Sequence, residues 1–235
     1  MDFTKNFNFT SNMTFSEYIT KVFGALSLGL CISMIVSLII SKFLYSIASV
    51  LGGMFLVAVI GVCIIELVIG ISFSSRINKM SLKECWISYI LYSFFTGLSL
   101  STIISIYTEG SVVYAFMITM IVFTSMAIIG HTTKADISKF SSILFAGLIS
   151  VILLSILNFF IRSSSMDYIL SVISIIVFLG LTAYDMQKLK YYYDYYSDSD
   201  EQLNKAAVFG AFQLYLDFIN LFIRIIQIFG KRNND

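Results

Sequence analysis

Long apolar runs separated by short polar links set the pattern of this chain. The hydrocarbon core of a bilayer takes about 20 apolar residues per helix. Seven stretches are long enough: 22–43, 47–73, 85–107, 112–130, 140–161, 168–187 and 206–230. The pattern predicts an all-α integral membrane protein of seven transmembrane helices. Six spans plus a re-entrant last helix is the alternative. No linker divides the chain and no internal repeat stands out. Residues 22–235 therefore read as one seven-helix transmembrane domain, and residues 1–21 as a polar arm with the start of the first helix. Thr14 and Glu17 have the T-x-x-E spacing of a capping box, which places that start near Thr14. The arm has neither the basic start nor the cleavage site of a secretory signal, so the first helix is expected to stay uncleaved. Along that helix a small residue recurs every fourth position, at Ala25, Gly29, Ser33, Ser37 and Ser41. Such a face lets helices approach closely in lipid and reads as a packing seam.

Polar residues inside the spans carry the candidate chemistry. In the last span Gln213, Asp217, Asn220, Arg224 and Gln227 follow in steps of four and three, so they share one helix face. Five polar residues on one stripe are expected to face protein or water rather than lipid. An Asp at a helix centre costs about 3 kcal/mol on insertion scales, which an apolar remainder can offset. Its carboxyl then needs a partner or a proton. The candidate partners are Glu66, the one charge of the second span, with Arg76 ten residues on, and Asp185 near the end of the sixth. Two facing carboxyls share a proton and so make a pH switch. Joined by the proton they latch two helices. Ionised, they repel and offer oxygen ligands to a hard cation such as Ca²⁺, which makes Asp185 and Asp217 the candidate transient metal ligands. Depth argues against easy pairing: Asp185 lies about 12 Å from the midpoint of its expected span, while Asp217 is near the midpoint of its own. A functional polar pathway and plain interhelical glue both remain open at this point.

Charge sets the orientation. With the N-terminus cytoplasmic, the inner side holds ten basic residues: Lys5, Lys21, Arg76, Lys79, Lys83, Lys134, Lys139, Lys188, Lys190 and Lys205. The outer side holds four: Lys42, Arg162, Lys231 and Arg232. The positive-inside bias thus favours the N-terminus inside and the C-terminus outside. Composition agrees with the class, at 58% hydrophobic and 12% charged and a mean hydropathy of +0.88. A net charge of +1 gives no electrostatic case for a nucleic-acid partner. The chain has no Pro, so its helices are not expected to be proline-kinked. Cys31, Cys63 and Cys85 form no CxxC pair and read as ordinary thiols. His131, the one histidine, reads as a helix-end residue. Asp194, Asp198, Asp200 and Glu201 lack the glycine and spacing of an EF-hand loop, so residues 191–202 read as a solvated link with interfacial tyrosines. Asp136 reads as a cap before the fifth span.

Two segments, "FLGLTAYDMQKLK" and "LYLDFINLFIRIIQIFG", resemble the C-terminal signatures of the Bax inhibitor family, the transmembrane Bax-inhibitor-motif proteins. "GHTTKADISKFSSILFAGLI" and "SRINKMS" resemble further segments of its bacterial members, and the likeness covers the chain from about Lys21 onward. The resemblance implies a seven-helix fold whose C-terminal helix is central in the bundle. It also implies that Asp185 and Asp217 match the family's paired aspartates, a pH-sensing latch on a Ca²⁺ leak. Arg76 would match an arginine that competes for the first of them, and Glu66 an acidic residue of the second helix. Two positions depart from the pattern: the family commonly has an apolar residue near 224 and a basic one near 227, where this chain has Arg224 and Gln227.

Two rival classes were weighed. Intramembrane aspartyl proteases also place one Asp on each of two consecutive helices, and Tyr184-Asp185 fits their first motif. Their second motif, G-x-G-D with a following P-A-L, is missing, so no enzyme is expected. The other rival is a non-transporting membrane regulator that binds a membrane protease or a stress or cell-death partner. The expectation is a bacterial cytoplasmic-membrane protein that passes Ca²⁺ or other cations passively. Asp185 and Asp217 form its gate. Arg76, Glu66, Gln213, Asn220 and Arg224 tune the path, and no organic cofactor is implied.

Overall fold

The computed structural model describes residues 12–197 and 199–233. Most of the N-terminal arm, with Lys5, and Asp198 of the acidic link lie outside the described residues. Seven α-helices occupy the described residues: α1 Phe15–Leu51, α2 Phe55–Arg76, α3 Leu82–Ile104, α4 Glu109–Thr132, α5 Ser141–Ile161, α6 Ser164–Tyr195 and α7 Asp200–Phe229. Short 3-10 turns, Gly52–Met54, Ile77–Lys79 and Ile137–Phe140, lie between them. Six helical stretches are long and apolar enough to cross a membrane, and the first of these, Phe15–Lys79, joins α1 and α2 over 65 residues.

Polar caps, not the limits of hydropathy, set the helix ends. Thr14 and Glu17 form the expected capping box, and Ser81 and Glu84 form a second at the start of α3. Ser163 and Ser199 cap α6 and α7. α6 runs to Tyr195, two turns past the expected limit at residue 187, and most of the tyrosine-rich link is helix. The break expected between residues 43 and 47 is also absent. α1 continues through it to Gly52, where φ is 53°. Glycine enters that left-handed region without a Cβ clash, so Gly52 rather than the polar dip at residues 41–46 ends the helix.

Side-chain pairs fix the helix directions. Tyr89 Oη donates to Ala25 O at 3.1 Å and Ser33 Oγ to Ser93 O at 2.6 Å. The numbers rise together, so α1 and α3 run parallel. Glu66 pairs with Thr96, while a Cβ on Gly70 would press on Tyr92. Here the numbers run oppositely, so α2 returns along α3 and the chain reverses at Gly52. The small-residue seam faces α3: Ala25, Gly29, Ser33 and Ser37 are buried.

α7 sits among all six other α-helices. Tyr215 meets Ser33 of α1 and Tyr89 of α3, and Phe212 meets Phe73 of α2. Phe218 stacks edge-on to Phe116 and Phe123 of α4, Arg224 reaches Ser155 of α5, and Gln213 reaches Tyr192 of α6. Leu214, Tyr215, Leu221 and Ile226 are fully buried. At the start of α7 Lys205 Nζ donates to Met80 O at 3.4 Å, beside the α2–α3 turn. Beyond its end Thr108 N donates to Lys231 O at 3.0 Å and Asn233 N to Ile106 O at 2.9 Å, at the α3–α4 turn. α7 therefore runs the length of α3 as one unbroken helix.

Candidate functional site

The polar stripe of α7 is held chiefly by α6. The two helices run antiparallel, with Tyr192 Oη donating to Gln213 Oε1 at 3.0 Å and Ser171 Oγ donating to Gln227 Oε1 at 3.3 Å. This register sets Thr182 beside Asp217, so Asp185 lies one turn, about 4.5 Å, from that level. The side-chain register between α6 and α7, not the limits of their apolar windows, sets the relative depth, and in that register the expected mismatch disappears. Close approach of α4 secures α6 here: a Cβ on Gly130 would overlap the Ala183 carbonyl.

Asp217 is buried, and its Oδ2 has no hydrogen-bond partner. Its nearest polar neighbours are the Thr182 hydroxyl and the charge of Asp185. Thr182 Oγ1 already donates its one proton to Phe178 O at 2.8 Å. Its oxygen can then only accept, so a hydrogen bond between Thr182 and Asp217 requires the carboxyl to carry the proton. The residue that sequence reasoning missed is Lys188. It lies 5.6 Å from the centre of the Tyr184 ring and 5.3 Å from that of Tyr192, and its charge acts on both aspartates. Its position three residues after Asp185 in "YDMQK", one turn along the same face, was the available signal. Arg76, expected in this role, is exposed at the end of α2, where its charge acts on Glu84. The structure does not bring it to the pair.

A second polar centre lies where α2 and α3 face α7. Thr96 Oγ1 and Ser99 Oγ each donate to Glu66, one to each carboxyl oxygen and both at 2.8 Å. A cavity of about 170 Å³ adjoins it, lined by Glu66, Tyr92, Asn220 and apolar residues. Asn220 Nδ2 donates to Leu216 O at 2.8 Å within its own helix. Glu66 is thus brought near Asn220 rather than to the aspartate pair. Further along α7, Arg224 donates to Gln227 Oε1 at 3.1 Å and to Ser155 Oγ at 3.3 Å, and the charge of Asp167 acts on it. Arg224 stands seven residues, about 10 Å, beyond Asp217.

Asp217, buried, and Asp185, partly buried, thus stand on adjacent helices of an apolar bundle. A sequence model described as Inhibitor of apoptosis-promoting Bax1 matches residues 15–234. The chain belongs to the Bax inhibitor family. It is 38% identical over 218 residues to inner membrane protein YbhL of Escherichia coli, covering 92% of each chain. It is 36% identical over 220 residues to a protein of Borreliella burgdorferi, covering 94% of each. A membrane protein of Streptococcus pyogenes is 36% identical over 224 residues, covering 95% of this chain and 96% of that one. None of the three bears the name of an enzyme. This Bax inhibitor family member is an integral membrane protein, and the family match spans all seven helices.

Proposed function

We propose that the chain is a pH-sensitive passive leak for Ca²⁺, gated by Asp185 and Asp217. The observation that carries this reading is the buried Asp217 carboxyl, one oxygen unpartnered, within electrostatic reach of a second carboxyl on the next helix. A shared proton holds α6 to α7 and satisfies Thr182. Loss of that proton leaves two buried negative charges that repel, which opens the contact and exposes oxygen ligands to a hard cation. Lys188 stabilises the ionised form from one side. Gln213 and Asn220 continue the polar path, with Glu66 beside it. Arg224 sets a positive barrier beyond the pair that keeps the basal leak small. Arg76 joins the cycle only if the opened state brings it to Asp185.

The topology that goes with this reading has seven crossings. Antiparallel α1 and α2 count as two, because both lie alongside α3. The N-terminus is cytoplasmic and the C-terminus outside, as the basic residues favour, in a bacterial cytoplasmic membrane.

The test is Ca²⁺ entry into dye-loaded proteoliposomes across external pH, with the native chain, Asp217→Asn and Asp185→Asn. A protein-dependent flux whose pH profile changes in both variants supports the paired-carboxyl gate. No flux above empty liposomes, with the protein folded and inserted, overturns it. That outcome would favour the regulatory reading, to which the family's description as an apoptosis inhibitor lends support.

A further inference from the structure

At the end of the bundle opposite the α6–α7 turn, α1 overhangs its neighbours. Gly97 packs on Val36, so about seven residues further Phe43 is level with the end of α3 at Ile104. The rest of α1, as far as Leu51, stands roughly 12 Å beyond. Beneath this overhang, between α1 and the α3–α4 turn, lies a groove of about 490 Å³.

The groove is divided by polarity. Its walls along the helices are apolar, with Leu38 of α1 and Val112 and Val113 of α4. It borders a small inner cavity that shares Met34 and Ile104 and reaches Phe222 of α7. Its rim, at the level where helices end, carries Lys42 and Glu109. Both side chains are exposed, and among the described residues no hydrogen bond or ion pair joins them. Lys231 and Arg232 of the adjacent C-terminal segment do not line the groove. One free cation and one free anion on a rim, above an apolar slot parallel to the helices, complement a zwitterion on an acyl chain.

We propose that this groove binds one phospholipid with a phosphoethanolamine headgroup. Lys42 meets the phosphate and Glu109 the primary ammonium, which can donate hydrogen bonds to a carboxylate. The acyl chain lies along Leu38, Val112 and Val113. An anionic phosphoglycerol headgroup satisfies Lys42 but presents no cation to Glu109. A phosphocholine headgroup has the charge but no N–H to donate.

The proposal is tested by native mass spectrometry of the purified full chain in detergent. The probes are phosphatidylethanolamine, phosphatidylglycerol and phosphatidylcholine with identical acyl chains, each titrated separately. An exposed ion pair of ordinary strength predicts about fivefold tighter binding of the ethanolamine lipid than of either other lipid. Glu109→Gln should abolish that preference while phosphatidylglycerol binds as well as before or better. Lys42→Gln should weaken all three. Leu38→Trp, which fills the slot without touching a charge, should also weaken all three. Both charged side chains are exposed, so loss of fold is not expected, and helix content by circular dichroism checks it. Equal binding of the three lipids to the native chain overturns the proposal. So does a preference that survives Glu109→Gln, or tighter binding of phosphatidylglycerol than of the ethanolamine lipid.

Discussion

Two carboxyl centres lie along α7, partly buried Glu66 facing it and buried Asp217 on it, and they differ in how completely they are satisfied. Glu66 accepts a hydroxyl proton on each oxygen, from Thr96 and Ser99. Asp217 has an unpartnered Oδ2, a neighbour of like charge, and a threonine whose proton is already bonded elsewhere. Glu66 is therefore a settled group that ties α2 to α3. Asp217 is left with hydrogen-bonding capacity that only a proton or a new partner can fill. The comparison teaches that position inside a bundle does not by itself make a carboxyl a candidate switch; open hydrogen-bonding capacity is the second requirement.

The largest expected effect breaks this contrast directly. Asp217→Asn should make proteoliposome Ca²⁺ flux independent of pH, whereas Glu66→Gln should keep the profile and its midpoint. The same two variants should separate in stability. Glu66→Gln replaces one of the two acceptors of Thr96 and Ser99 by a donor and should destabilise the protein by about 1–3 kcal/mol, read as a lower thermal midpoint in detergent. Asp217→Asn should leave that midpoint unchanged or raise it, because the amide N–H can donate to Asp185 or Thr182 in place of the shared proton. A pH profile abolished by Glu66→Gln and preserved by Asp217→Asn would reverse the assignment. Next in size is Gly130→Ala. Its Cβ meets the Ala183 backbone, which cannot rotate away. Overpacking of this kind costs about 1–3 kcal/mol, and the displaced α6 should shift the pH profile although position 130 carries no charge. A variant with native stability and an unchanged profile would show that the α4–α6 contact does not position Asp185.

The sequence shows some of these features and hides others for physical reasons. The stripe from Gln213 to Gln227 was legible because three- and four-residue steps define a helix face without any tertiary information. The Thr14 cap was legible for the same reason: its partner Glu17 is three residues away. The direction of α2 along α3 was not, because Glu66 meets Thr96 and Ser99 across thirty or more residues and only the packed bundle sets that register. Depth was misjudged for a different reason. Hydropathy marks where lipid lies, while the relative depth of two helices is set by side-chain register such as Tyr192 on Gln213, which no apolar window contains. Lys188 escaped because a lysine near a membrane surface ordinarily reads as a positive-inside marker. Only the two tyrosine rings flanking it show that it is held beside the pair.

Lys188→Gln sharpens the contrast with a smaller effect. Removing a positive charge beside two carboxyls leaves less of the pair ionised at any given pH. The midpoint of the flux profile should then move to higher pH by less than about one unit, since Lys188 is only half-buried and solvent screens it. Arg76→Gln, at an exposed position away from the pair, should move it less. A larger shift from Arg76→Gln than from Lys188→Gln would mean that the functioning state brings Arg76 to Asp185 and that the contact with Lys188 is incidental.

The smallest effect is expected outside the spans, at Asp136. Ser138 donates to its Oδ1 from both backbone nitrogen, at 3.0 Å, and hydroxyl, at 2.5 Å, and these bonds hold the carboxyl below the usual carboxylate range. A group whose folded value is depressed contributes stability that is present above its unfolded value, about 3.9 for an aspartate. That contribution is lost as pH falls through the folded value. Asp136→Asn keeps an acceptor and removes only the charge. Its thermal midpoint should therefore lie slightly below that of the native chain at neutral pH, and the gap should narrow below the unfolded value and close below the folded one. Asp136 is fully exposed, so the gap is small and sensitive to salt. The flux profile near neutrality should not move, because Asp136 carries its charge throughout that range. A gap that persists unchanged into acid would assign the cap's contribution to shape rather than charge. A shifted flux midpoint would tie the α4–α5 turn to the gate through Gln187, which accepts from Ile137 N and donates to Ala135 O across that turn.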